Sequence, residues 1–289
     1  MRHLHNVQFR SSSRKAKIGR KGALCKCLNM EMPMIRIGII SGSGLDDPKI
    51  LKNETEIIVD TPFGEPSSAL TSGTINGVDV IILARHGKNH TISPSQVNNR
   101  ANIYAFEEQG ITHIIATTAC GSLREEIGRG DFVILDQFID FTRHREVTFF
   151  DSFKKGLNHT PMADPFDSKL RKILYDTSID MGLKAHKKGT VITIEGPRFS
   201  TRAESKMFKI WGADVINMSI APEAALANEA KIPYSAVAMA TDYDCWKEDE
   251  AVVSWEEILD VFNKNADKVK KMLINAIDKI ACQGDKHES

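Results

Sequence analysis

Two acids stand two residues apart in Thr241-Asp242-Tyr243-Asp244-Cys245-Trp246. On extended backbone, residues i and i+2 share a face, so the carboxylates of Asp242 and Asp244 point the same way. Such a pair can ligate a cation, or it can divide its charge, one acid ionised and the other protonated. The segment offers no His and no third acid to complete a metal shell. Acid–base chemistry fits it better than coordination.

A complementary chemistry lies upstream. Arg85-His86-Gly87 follows the apolar run Val80–Ala84, and His90 comes soon after. An arginine there offers planar, two-pronged recognition of phosphate or carboxylate, and the adjoining imidazole adds a donor. Ser41-Gly42-Ser43-Gly44 is a glycine-bearing turn whose amides and Ser43 hydroxyl suit an anion. A dinucleotide fingerprint would need a third glycine at position 47, where Asp47 would repel a pyrophosphate. Thr117-Thr118-Ala119-Cys120-Gly121-Ser122 adds hydroxyls and small residues that admit close approach. Cys120, among apolar neighbours and with no assigned base, reads as a packed thiol rather than a nucleophile. Glu195-Gly196-Pro197-Arg198-Phe199-Ser200 brings an aromatic face at Phe199 and a hydroxyl at Ser200.

These islands end or follow runs that read as strands. Residues 35–41, 78–84, 113–118, 132–135, 189–193, 214–218 and 235–241 are short, apolar and rich in β-branched residues, as strands buried on both faces are. Between them, residues 95–109, 167–182, 201–212, 222–230 and 254–280 carry apolar side chains at helical spacing. Thr201 with Glu204 and Ser254 with Glu257 fit capping boxes, and Gly110, Gly182 and Gly212 fall where helix C-caps belong. Strands alternating with helices predict an α/β fold, a largely parallel but mixed central sheet flanked by helices, in a single domain over 34–289. In such sheets ligands bind beyond the carboxyl ends of the strands.

The 38 basic and 38 acidic side chains balance, but eight of the basic ones and no acid fall within residues 1–30. The remaining 30 against 38 leave a body of net charge −8, which argues against nucleic acid as the main partner. No run approaches the roughly 20 apolar residues of a membrane helix. Residues 1–33 read as a basic tail outside the fold: a transit peptide, an appended extension or the product of an upstream start. The five cysteines are odd in number and widely spaced, which suits a reducing compartment. Cys25-x-Cys27 lacks the second pair a zinc site needs.

In their order along the chain, Gly42-Ser43-Gly44, Ala84-Arg85-His86-Gly87, Thr117-Thr118-Ala119-Cys120-Gly121-Ser122, Glu195–Ser200, Asn217-Met218-Ser219 with Pro222-Glu223, and Thr241–Trp246 form one pattern. It resembles the 5′-methylthioadenosine phosphorylases, a branch of the trimeric purine nucleoside phosphorylase family, over roughly residues 35–280. The resemblance implies a nucleoside phosphorylase-like fold, a homotrimer and a cytoplasmic location with a nuclear share. It implies no cofactor or metal, inorganic phosphate as co-substrate, and 5′-methylthioadenosine or adenine as the other partner. Carried over by motif, Ser43, Arg85, His86, Thr118, Ala119 (through its backbone) and Ser219 would cradle phosphate. Met218 would lie under the ribose, Phe199 and Ser200 would face the base, and Asp242 and Asp244 would be catalytic, holding the N7 and N6 edge. His159, Trp255 and Ile258 would build the 5′ pocket, where Trp255 replaces a smaller aliphatic residue; its indole either stacks on a thioether, narrows the pocket or only packs the last helix. Ser43 and Ser219 each stand where the family has threonine.

Phosphate is a weak nucleophile at neutral pH, so these roles match a largely broken glycosidic bond and an oxocarbenium-like transition state. An anion beneath the forming cation and a proton on the departing purine stabilise it, and a positioned acid contributes roughly 10²–10⁴-fold. The 6-oxopurine branch resembles this chain but carries Asn in place of Asp242 and Glu in place of Ser200. Other readings stay open: a broader adenosine or purine nucleoside phosphorylase, which Trp255 keeps alive, and a nucleoside-binding protein without catalysis. A phosphate-independent hydrolase would have no use for the anion cradle.

Overall fold

Strand β1 (Arg36–Ser41) reads Arg-Ile-Gly-Ile-Ile-Ser and is buried from Ile37 onward, as expected of an inner strand. The computed structural model that defines it describes residues 34–42, 49–154, 156–249 and 254–284; the basic segment 1–33, Ser43 and Asp47 lie outside these, and Trp255 is described by its backbone alone. β2 (Lys52–Ile57) and β3 (Leu70–Ile75) form an antiparallel hairpin that joins β4 (Val78–Ala84). Helix α1 (Asn99–Glu108) leads to β5 (His113–Ser122), and β6 (Phe132–Ile134) and β7 (Gln137–Phe141) follow. After α2 (Ser168–Asp180) come β8 (Ala185–His186) and β9 (Thr190–Ile194), then α3 (Arg202–Ile210) and β10 (Val215–Asn217). The chain continues through α4 (Ile220–Glu229) and β11 (Tyr234–Tyr243) into the long α5 (Trp255–Gly284).

All seven expected apolar runs are strands, and all five helical periods are helices. Asn98, Asp167 and Thr201 cap α1, α2 and α3 through their side chains, and both expected capping boxes form. α1 starts later than its apolar period suggests, because Pro94–Gln96 forms a separate 3-10 turn before the Asn98 cap. Four strands escape sequence reading. β2 is almost entirely exposed and polar, β3 is mostly Thr, Ser and Gly, β7 is half-buried, and β8 is two residues long.

Among the described residues the strands form one mixed sheet that forks at β5. β4, β1, β5 and β11 run parallel, as do β10, β9 and β7; antiparallel pairs join β5 to β10 and β11 to β6. Alternate residues of the inner strands enter opposite layers. Ile40, Ile114 and Ala116 pack with Phe106 of α1 and Leu226 of α4, whereas Ile39 and Ile115 pack with Leu174 of α2 and Phe262 of α5. Each of the fully buried Ile, Leu and Phe side chains contributes about 1.5–3 kcal/mol through water release.

The fork also makes the site. Along one edge of β5, β1 pairs only as far as Ala116, and β10 pairs only from Gly121. Between those pairings Thr117–Cys120 border a crevice at the carboxyl end of β1, where parallel sheets bind ligands.

Candidate active site

That crevice opens into a cavity of about 280 Å³. Arg85 leaves the end of β4 and is buried to 1% exposure. Its Nε and Nη2 donate to the two carboxylate oxygens of Glu223, the latter at 3.1 Å, and its Nη1 donates to the Thr117 carbonyl at 2.9 Å. Glu223, equally buried in the first turn of α4, also accepts from the Tyr234 hydroxyl at 2.8 Å. Burial first, and the Glu223 charge second, push the Tyr234 phenol well above its ordinary pKa, so it stays a donor. The guanidinium is thus aimed and partly neutralised before any anion arrives.

Gly42 leaves room for this arginine and for the end of β5. Its amide donates to Thr117 Oγ1 at 3.2 Å. A Cβ built there would stand 2.6 Å from the Thr117 carbonyl oxygen and 2.9 Å from Arg85 Nη1. Because one obstacle is backbone, Gly42→Ala is expected to cost about 1–3 kcal/mol by overpacking. A fall of several degrees in melting temperature, measured by thermal unfolding, would register it.

His86 fixes its ring by donating Nδ1–H to the Ile92 carbonyl at 2.9 Å, and its ring packs on that of His90 at 4.6 Å between ring centres. Thr118 and Ser219 hold their hydroxyls 3.4 Å apart, and Asn217 Nδ2 donates to Thr118 Oγ1 at 3.4 Å. Arg85, His86, Thr118, Ala119 and Ser219 all line the cavity. Thr118 Oγ1 donates to the Ala119 carbonyl at 2.9 Å.

The acids occupy another part of the lining. In β11 the register against β5 slips between Ala240 and Asp242, a bulge at Thr241 of the kind that re-aims side chains. It sets Asp242 opposite Gly121, and a Cβ there would be 3.3 Å from Asp242 Oδ2. Thr241 Oγ1 donates to Asp242 Oδ1 at 2.7 Å. Asp244 is 8% exposed and accepts from Ser200 Oγ at 2.9 and 3.1 Å. Its amide and the Trp246 indole share the Ser122 carbonyl, at 3.0 and 2.8 Å. Cys120 lies in this wall; burial first, then the charge of Asp242, raise its pKa well above normal, which makes it an inert thiol.

Met218 and the half-exposed ring of Phe199 also line the cavity, with Ser200 and Ile258. Of the other expected site residues, His159 is exposed, stacks on Phe153 at 5.3 Å, and is not part of the lining. Ser43 falls outside the described residues, and Trp255 opens α5 near Ile258 with no side chain described. Sequence reading gave Glu223 and Tyr234 no role. The one local signal was an acid in the first turn of the largely apolar helix Ile220–Glu229.

The Phosphorylase superfamily model matches residues 36–278. S-methyl-5′-thioadenosine phosphorylase of Xenopus tropicalis is 57% identical over 86% of this chain and 89% of its own. That of Drosophila melanogaster is 50% identical over 89% and 90%. The structure of methylthioadenosine phosphorylase from Schistosoma mansoni in complex with adenine superposes with a TM-score of 0.82 at 42% identity, over 86% of this chain and 92% of that one. A variant of the fluke adenosine/methylthioadenosine phosphorylase in complex with methylthioadenosine gives 0.79 at 42%, over 85% and 92%. With a model matched from β1 into α5 and relatives at this identity, the chain belongs to the phosphorylase superfamily and, within it, to the S-methyl-5′-thioadenosine phosphorylases.

Proposed function

We propose that the cavity carries out phosphorolysis of 5′-methylthioadenosine, yielding adenine and 5-methylthioribose 1-phosphate. One observation carries this reading: Arg85, His86, Thr118 and Ser219 line the same small cavity as the carboxylate pair Asp242 and Asp244, together with Met218 and Phe199. Adenine and methylthioadenosine are the ligands in the fluke complexes.

In the reaction the bond between the ribosyl anomeric carbon and N9 breaks, and its electron pair passes to the purine. Asp242 takes up a proton as the substrates bind and delivers it to N7, while Asp244, steadied by Ser200, accepts from the exocyclic amine. A phosphate oxygen, held by Arg85, His86, Thr118 and Ser219, then bonds to the anomeric carbon; no step is routed through a metal. The donors aimed at phosphate are positioned before reaction, which lets them stabilise the developing ion pair without reorganising. Incubating the protein with 5′-methylthioadenosine, with and without phosphate, tests the reading. Adenine must appear only with phosphate; equal release without it would point to a hydrolase.

Ser200→Ala is expected to raise KM for adenine nucleosides by roughly 5–10-fold, the loss of one net hydrogen bond of about 1 kcal/mol. KM for phosphate, whose ligands lie elsewhere in the cavity, should stay put in the same assay. Two features of the reading stand on the family resemblance: a homotrimer, checked by light scattering, and a cytoplasmic location with a nuclear share. The three described cysteines are free, and Cys120 is buried in the cavity wall, which suits a reducing cytoplasm. Fractionation of cells would test that location.

A further inference from the structure

Behind the cavity wall, a second buried arginine ties together two of its segments. Arg145 follows β7 and exposes 2% of its side chain. Its Nε donates to Glu195 Oε1 at 2.9 Å. Its Nη2 donates to two main-chain carbonyls, that of Glu195 at 2.6 Å and that of Met218 at 3.2 Å. The other Glu195 oxygen accepts the amides of Arg143 and His144, at 2.6 and 3.1 Å. Burial opposes ionisation of Glu195, but the Arg143 amide, the Arg145 guanidinium and the His144 amide outweigh it and hold its pKa below the usual range. The pair is therefore ionised at neutral pH.

The two tied segments also meet directly. A Cβ on Gly196 would fall 2.5 Å from Met218 Sδ, so the thioether fills the space a side chain there would take. The Met218–Ser219 peptide is planar, with its carbonyl and amide pointing opposite ways. By holding the Met218 carbonyl, Arg145 turns the Ser219 amide away from itself, towards Asn217 Oδ1 at 3.4 Å. Both Asn217 and Ser219 line the cavity.

We propose that Arg145, held by Glu195, is a positioning residue that sets the spacing of the nucleoside floor and the aim of the Ser219 backbone. It touches neither substrate, and it acts through Met218 and Ser219. The assignment rests on the phosphorolysis reading above and predicts that both substrates bind worse when the clamp is lost.

The test uses Arg145→Lys and the double variant Arg145→Met with Glu195→Gln, which leaves no unpaired buried charge. Misplacing groups that hold a substrate by about 1 Å costs up to roughly 10²-fold. The double variant is expected to melt within a few degrees of wild type, with KM for 5′-methylthioadenosine and for phosphate each raised about tenfold or more. Arg145→Lys, which keeps the charge and one donor direction, should fall between. Adenine affinity by titration calorimetry, which needs no turnover, is measured on all three proteins and should weaken in the same order. Unchanged KM values and unchanged adenine affinity, with only a lower melting temperature or active fraction, would reduce Arg145 to a structural ion pair and overturn the proposal. A wild-type protein that releases no adenine with phosphate would instead overturn the reading of function, and the calorimetric comparison would then judge the clamp by itself.

Discussion

Asp242→Asn is expected to lower kcat/KM for 5′-methylthioadenosine by about 10²–10⁴-fold, the usual worth of a positioned acid. The substitution is nearly isosteric, so packing barely changes. The Asn carbonyl oxygen can take the place of Asp242 Oδ1 and keep the 2.7 Å bond from Thr241. The amide nitrogen then occupies the position of Oδ2, beside Gly121. It can donate a hydrogen bond to N7 but has no proton to give up, so the purine must leave as an anion. Inosine should lose far less, because the amide that replaces the carboxyl can donate to N7 and to the neighbouring 6-oxo oxygen, a hydrogen bond that the exocyclic amine of adenine cannot accept. Unpaired buried polar groups of that sort discriminate by as much as ~10⁴–10⁵. Parallel measurement of kcat/KM for 5′-methylthioadenosine, adenosine and inosine decides the matter. Equal losses for all three would remove Asp242 from base recognition.

How much of this was legible in the sequence follows from the range of the interactions. Runs such as Ile37–Ile40 and Val80–Leu83 announce inner strands because every residue is apolar, and their burial on both faces needs no partner to be guessed. β2, Lys-Asn-Glu-Thr-Glu-Ile, is a strand only because β3 lies beside it, and nothing local says so. The acids were visible for the same reason as the inner strands: charge at the end of an apolar run is conspicuous. The bulge at Thr241 that aims Asp242 was not, since it is a property of pairing with β5. Glu223 reaches Arg85 across 138 residues, and Arg145 reaches Met218 across 73. Both buried pairs depend on how the sheet forks, which the order of strands along the chain does not reveal. His159, which the resemblance assigns to the 5′ pocket, is exposed beside Phe153 within the single chain.

The second large effect concerns Arg85. Arg85→Met is expected to cost about 3–5 kcal/mol of stability, because it leaves the Glu223 carboxylate buried with no cation. It should also cost at least roughly 10²–10³-fold in turnover, the toll of removing one preorganised donor from an oxyanion. The two losses have different causes and can be separated. Adding Glu223→Gln to Arg85→Met removes the stranded charge while Tyr234 keeps a hydrogen-bond acceptor in place of Glu223 Oε2. The double variant should regain most of its melting temperature, yet phosphate saturation should not return, since no guanidinium faces the anion. Arg85→Lys makes the complementary point. It keeps a charge but cannot span both oxygens of Glu223 and the Thr117 carbonyl, as the fork does now. Its ammonium is free to swing, so phosphate should bind weakly with little change in nucleoside KM. Thermal unfolding and initial rates against phosphate concentration, taken on the same preparations, read both quantities. A stable double variant with wild-type phosphate saturation would show that the cradle does not depend on this arginine, and the anion would then have to be held by His86, Thr118 and Ser219 alone.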